Sequence, residues 1–119
     1  MSDQLFTDTK QWLRKRRSQR IELNVPVGVH RTPKEGPEFY ERTQTLIASA
    51  HGALIALADK VAPQQRLLLQ NIHSGEQQEC RVVYVEKMAG PAKVAVEFTR
   101  PAPSFWRIKY PPADWTTRA

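Results

Sequence analysis

The sequence predicts an all-β fold: a six-stranded antiparallel β-barrel preceded by an N-terminal helix and followed by an aromatic, proline-rich C-terminal strap. Three observations predict it. From residue 20 onward apolar side chains tend to recur at every second position, the period of strands with one buried face. The strand-like segments are short and joined by short turns, which suits a closed antiparallel barrel better than a parallel α/β sheet. The chain is 119 residues long, 40% hydrophobic and 25% charged, enough for one domain with its own core and far from the composition of disordered chains. The organisation expected is a helical and basic segment over 1–17, a barrel over 18–100 and a strap over 101–119.

Each element has its own signal. In the first segment Leu5 and Phe6 recur as Trp12 and Leu13, one apolar stripe of a helix, with Asp3 and Asp8 early and the basic residues late, as the helix dipole favours. The first strand alternates Ile21, Leu23, Val25, Val27 and Val29 with Glu22, Asn24, Pro26, Gly28 and His30, and Pro26 inside it implies an edge or a bulge. RTPKEGPEF is loop by composition. The second strand spans Phe39–Ser49, and the third, GALIALA, spans 52–58 after a tight connection. A fourth strand covers 66–72, and the Ser74-Gly75 turn leads into a fifth over 77–87 containing CRVVYV, with Tyr84 expected in core alternation. Val94, Val96 and Phe98 mark the sixth over 93–99. The strap carries Phe105, Trp106, Tyr110 and Trp115 among prolines, aromatics expected to cover the open end of the barrel.

The formal net charge is +6, and all of the excess is local. Lys10, Arg14, Lys15, Arg16, Arg17 and Arg20 fall in one stretch without an acid, and the rest of the chain is balanced. A polymeric nucleic-acid partner calls instead for basic residues interleaved with exposed aromatics across strands. The single cysteine, Cys80, has no internal disulfide partner, and no apolar run approaches the ~20 residues of a membrane span, so a cytoplasmic setting is expected. Enzymatic parts are missing: no GxSxG, Walker loop or GxGxxG occurs. His30, His51 and His73 are too widely spaced for a zinc motif. No metal, cofactor or catalytic residue is assigned.

Two segments suit a small anion. RRSQR stands where the helix gives way to the first strand, and its guanidinium groups offer planar forked donors that match phosphate oxygens and stack on bases. The turn Ala48-Ser49-Ala50-His51-Gly52 offers a hydroxyl, an imidazole and a glycine that lets backbone approach. Its plainer reading is a hairpin with Ser49 bonding its own turn and Gly52 at positive φ.

Taken together, RRSQR before the first strand and SAHGALI some way beyond it resemble the PilZ family of bacterial cyclic di-GMP receptors, with its RxxxR and (D/N)xSxxG motifs. The resemblance runs from about Arg16 to Phe98 and includes the GALI and VAVEF segments. It implies a six-stranded antiparallel barrel in which two arginines close over the guanines and phosphates of the dinucleotide. Arg16 and Arg20 match the arginines, Ser49 the serine and Gly52 the glycine, with His51 and Arg17 as additional contacts and Lys15 within reach of a phosphate. One position departs. Ile47 stands where the family has Asp or Asn, and removing a charged hydrogen bond to a base costs ~1.5–3 kcal/mol, one to two decades in affinity.

The function implied is a small cyclic di-GMP receptor and adaptor that passes a ligand-induced change to a separate partner protein. The alternative, motivated by Ile47 and the aromatic strap, is a degenerate relative that does not bind cyclic di-GMP and acts as a protein-interaction module.

Overall fold

The computed structural model describes residues 20–108. It contains seven strands: β1 Ile21–Glu22, β2 Pro26–Arg31, β3 Phe39–Ser49, β4 Gly52–Leu57, β5 Arg66–Asn71, β6 Gln77–Glu86 and β7 Ala92–Phe98. All pairings are antiparallel, in the order β1-β3-β2-β5-β6-β7-β4, and an additional β3–β4 pairing closes the sheet. The result is the expected six-stranded barrel, β3-β2-β5-β6-β7-β4, with β1 added on the β3 edge that also carries β2. Expected strand limits hold to within one residue from β3 onward. The helix expected over 1–17 and the strap residues Tyr110 and Trp115 lie outside the described residues. Among the described residues no helix is long and apolar enough to cross a membrane.

The alternating residues fill the barrel as their period dictates. Val27, Val29, Ile55, Leu57, Leu67, Leu69, Cys80, Val82, Val94 and Val96 are all core members. Phe98, Phe105 and Trp106 plug one end, with ring centroids 4.9–5.8 Å apart in edge-on and tilted arrangements. Asn71, fully buried, donates from Nδ2 to Phe105 O at 2.8 Å and so ties the strap to β5. The expected cover by aromatics is therefore made by Phe105 and Trp106.

Three departures from simple alternation matter. The first expected strand is two, because Glu22 pairs with Ile47 but Pro26 pairs with Gln44, so residues 23–25 oppose only 45–46. Pro26 lacks an N–H, and the break on its N-terminal side is the bulge its position implied. Thr45, with no exposed surface, fills the gap. Its hydroxyl accepts from Val25 N–H at 2.9 Å and donates to Leu23 O, while its carbonyl accepts from Asn24 Nδ2 at 2.8 Å.

The second departure is a register shift on the other edge of β3, between Thr45 and Ile47, opposite Ile55 and Leu54. The third lies between Val82 and Tyr84 in β6. It places Tyr84 opposite Ala95, which lies outside the core cluster between core members Val94 and Val96. Tyr84 thus belongs to the outer face rather than to the expected core alternation. An extra residue at a bulge reverses the facing of every later side chain on its strand, and composition alone gives no warning of it.

The segment expected as loop holds a 3-10 turn at Pro33–Glu35 ended by Gly36 at φ 136°. It is fastened by Arg31, 6% exposed, which donates to Pro37 O at 2.8 Å and Lys60 O at 2.7 Å and lies 4.7 Å from the Phe39 ring centroid.

Candidate functional site

The hairpin joining β3 to β4 is fastened from several sides. Ser49 Oγ accepts from His51 N–H at 3.2 Å and lies 3.5 Å from Gly52 O. The Ser49 carbonyl accepts the indole N–H of Trp106 at 2.7 Å. Ala50 O accepts from Ala102 N–H at 2.8 Å, and His51 O accepts from Phe98 N–H at 2.7 Å. The turn is thus a junction between the barrel and the strap. The indole bond links residues far apart in sequence, so spacing carried no sign that Trp106 belongs to this hairpin.

Ser49 bonds its own turn, as the plainer reading expected, but Gly52 is not at positive φ; among the described glycines only Gly36 and Gly75 are. Gly52 is needed for a different reason. A Cβ on it would stand 2.1 Å from Val96 O and 3.1 Å from Glu97 Cα, so a side chain would push β7 away from β4. This is the close backbone approach that the motif reading associated with the glycine.

Register arithmetic places the arginine. Ile21 pairs with Ala48 and Glu22 with Ile47, so one further step along the ladder sets Arg20 beside Ser49. Ile21 packs against the core and Ala48 belongs to it, so Arg20, Glu22, Ile47 and Ser49 occupy the outer face by strand alternation. Two cross-strand rows result. One runs Arg20, Ser49, Gly52, Glu97 and Arg81; its neighbour runs Glu22, Ile47, Leu54, Ala95 and Tyr84. The structure pairs Ser49 with Gly52 on one wall, with His51 in the turn that joins β3 to β4, and Arg20 immediately precedes β1, one step beyond the Ile21–Ala48 pair. Arg16, Arg17 and Lys15 lie outside the described residues.

Electrostatically the first row holds cations at its two ends. Arg20 is half-buried with its Nε shielded from solvent. Arg81 donates to Glu97 Oε1 at 3.0 Å and to Gln64 Oε1 at 2.7 Å. The pair holds Glu97 in place and offsets its charge, which matters where an anion is to be bound nearby. The second row is mostly apolar: Ile47 is half-buried and Leu54 buried on the outer face. Cys80 sits elsewhere, inside the barrel, where burial pushes its thiol from 9.0 up to about 12, the state of an unreactive structural cysteine. Among the described residues no cluster of His, Cys, Asp and Glu is arranged to hold a metal.

The family model described as "PilZ domain" matches residues 14–105. No curated protein matches. Among solved structures, the Bacillus subtilis inhibitor of motility MotI/DgrA superposes with a TM-score of 0.56 at 18% identity, over 78% of this chain and 46% of that one. YcgR from Escherichia coli, solved in complex with c-di-GMP, superposes with a TM-score of 0.56 at 14% identity, over 78% of this chain and 42% of that one. This chain spans less than half the length of either, and at such identity the likeness is one of fold. The family match takes in the barrel, the Ser49–Gly52 turn and the arginine segment ahead of β1, and on that extent the chain belongs to the PilZ domain family.

Proposed function

We propose that this domain is a cyclic di-GMP receptor that works as an adaptor, binding the dinucleotide on the outer wall where β1 meets the β3–β4 hairpin. The reading is carried by the Ser49–Gly52 pair together with the β1 register, which, continued one residue beyond Ile21–Ala48, puts Arg20 level with Ser49. Arg20 supplies a planar cation for a phosphate or the guanine O6/N7 edge. Gly52 leaves the wall flat, and Ser49 fixes the turn. Arg16, the other arginine of the motif, and Arg17 precede β1 in sequence and add cations for the ligand's phosphates. One structure sharing the fold, YcgR, holds c-di-GMP, and another is an inhibitor of motility; both support a role in signalling through a partner rather than in catalysis. A ligand shifts an equilibrium only through contacts made in one pose, and the arginines provide such contacts.

Calorimetry of cyclic di-GMP with the full chain and with Arg20→Ala tests the reading. Wild-type binding that weakens with salt, and a loss of tenfold or more in the variant, are expected. Wild-type silence at high micromolar ligand would sink it.

Ile47 favours a second reading, a protein-interaction module without nucleotide, because it continues an apolar strip with Leu54 and Ala95 on the wall where a base would need a polar partner. Binding that appears only in Ile47→Asp supports that reading over the first.

A further inference from the structure

The residue facing Ile47 across the β1–β3 ladder is Glu22. Ile21 and Leu23 on either side pack against the core, so Glu22 points outward, and it is exposed. Leu23 N–H donates to Leu46 O at 3.3 Å. That makes Leu23–Leu46 a hydrogen-bonded pair and leaves Glu22–Ile47 as the adjacent non-hydrogen-bonded pair. In such pairs the Cα atoms stand about 4.5 Å apart and the side chains are closest. Glu22 is also two residues from Arg20, which immediately precedes β1 and falls on the same face by alternation. The other acid in the two rows, Glu97, is engaged by Arg81.

A carboxylate is the natural complement of guanine. The N1–H and the N2 amino group form a paired donor edge that two carboxylate oxygens accept together, and bonds to a charged acceptor are the stronger kind. Ile47 offers no acceptor, and its cross-strand neighbour offers two oxygens on a side chain one methylene longer than aspartate.

We propose that Glu22 is the guanine-reading residue of this domain, taking from β1 the part that a polar side chain at position 47 would play from β3. The inference rests on the cyclic di-GMP reading above and adds the source of its base selectivity. Arg20 and Glu22 then act as a pair of opposite charge at the start of the described fold, the first toward phosphate or the base's acceptor edge, the second toward its donor edge. Isoleucine at 47 becomes tolerable because the acceptor has moved across the ladder.

The test is calorimetry on the full chain with two ligands, cyclic di-GMP and its inosine counterpart, which lacks the N2 amino group. Wild type is expected to prefer the guanine ligand by about tenfold. Glu22→Ala is expected to weaken cyclic di-GMP by about ten- to a hundredfold and to level the two ligands. Adding Ile47→Asp to Glu22→Ala is expected to restore both affinity and preference. Cyclic di-GMP bound equally by wild type and Glu22→Ala overturns the inference and leaves the receptor reading standing. So does a loss that lowers both ligands together at an unchanged ratio, the mark of a merely structural role. Wild-type silence toward both ligands overturns the receptor reading, and the inference with it.

Discussion

Two glycines on different walls of the barrel stand where a side chain would collide, and the two collisions differ in kind. At Gly52 a Cβ would meet the Val96 carbonyl at 2.1 Å, the backbone of a paired strand. At Gly28 it would meet the Tyr40 hydroxyl at 2.3 Å, the tip of a side chain that is 55% exposed and lies across β2. A tyrosine can rotate into solvent, whereas a strand held in a closed sheet cannot move without breaking its ladder. The wall of the candidate site is therefore rigid where the opposing contact is adjustable. A flat, unyielding surface is what a planar ligand needs, since any surface that must reorder on binding loses affinity to that ordering.

The largest effect that can break this contrast comes from paired alanine substitutions. Gly52→Ala is expected to destabilise the fold by about 3 kcal/mol, the upper range for overpacking, and Gly28→Ala by less than about 1 kcal/mol, both read from urea unfolding. Equal losses would mean that Tyr40 is as fixed as β7.

The next effect concerns the polar packing beside the site. Thr45→Val removes both hydroxyl contacts that fill the β1–β2 break and leaves Val25 N–H buried without its acceptor, an expected loss of about 1–3 kcal/mol. Thr43→Val, which loses a single bond to Ala56 O in a half-buried place, is expected to cost under about 1 kcal/mol by the same measurement.

A pH series separates the interior from the wall. Because the native state holds the Cys80 thiol protonated up to about 12, the unfolded chain releases more protons above 9.0. Stability then falls as pH climbs between those limits, by about 1 kcal/mol for each unit above 9.0. The unfolding midpoint of wild type is expected to fall more steeply than that of Cys80→Ala across pH 8 to 11, since only the wild type carries the thiol.

The last comparison is Trp106→Phe. It keeps most of the ring packing and removes the indole bond to Ser49 O, a loss of about 1 kcal/mol. Faster amide exchange at His51 and Gly52 would show that the strap stiffens the turn.

The barrel was legible in the sequence because alternation of Val, Leu and Ile is a direct consequence of one wet and one dry face. Phe39–Ser49 could be bounded by pattern alone, and the turn around Ser49 could be singled out by its residue types. What the pattern could not carry was register. The shifts within β3 and β6 each admit one extra residue, and the side that Tyr84 or Ile47 then faces depends on the partner strand. The same blindness hid Glu22. In sequence it is the first polar residue of an alternating strand, and its meaning comes only from standing opposite Ile47.

The hairpin at Ser49–Gly52 has a mechanical side as well. The strand that begins the described fold, β1, is paired along the last residues of β3, and the strap leaving the barrel is bonded to Ser49 and Ala50. A pull applied between the two ends of the domain would be borne across those few residues and the Asn71 bond to Phe105 O. The domain would yield first as a clasp opening at this turn, so load on its ends would also set how readily the candidate wall stays assembled.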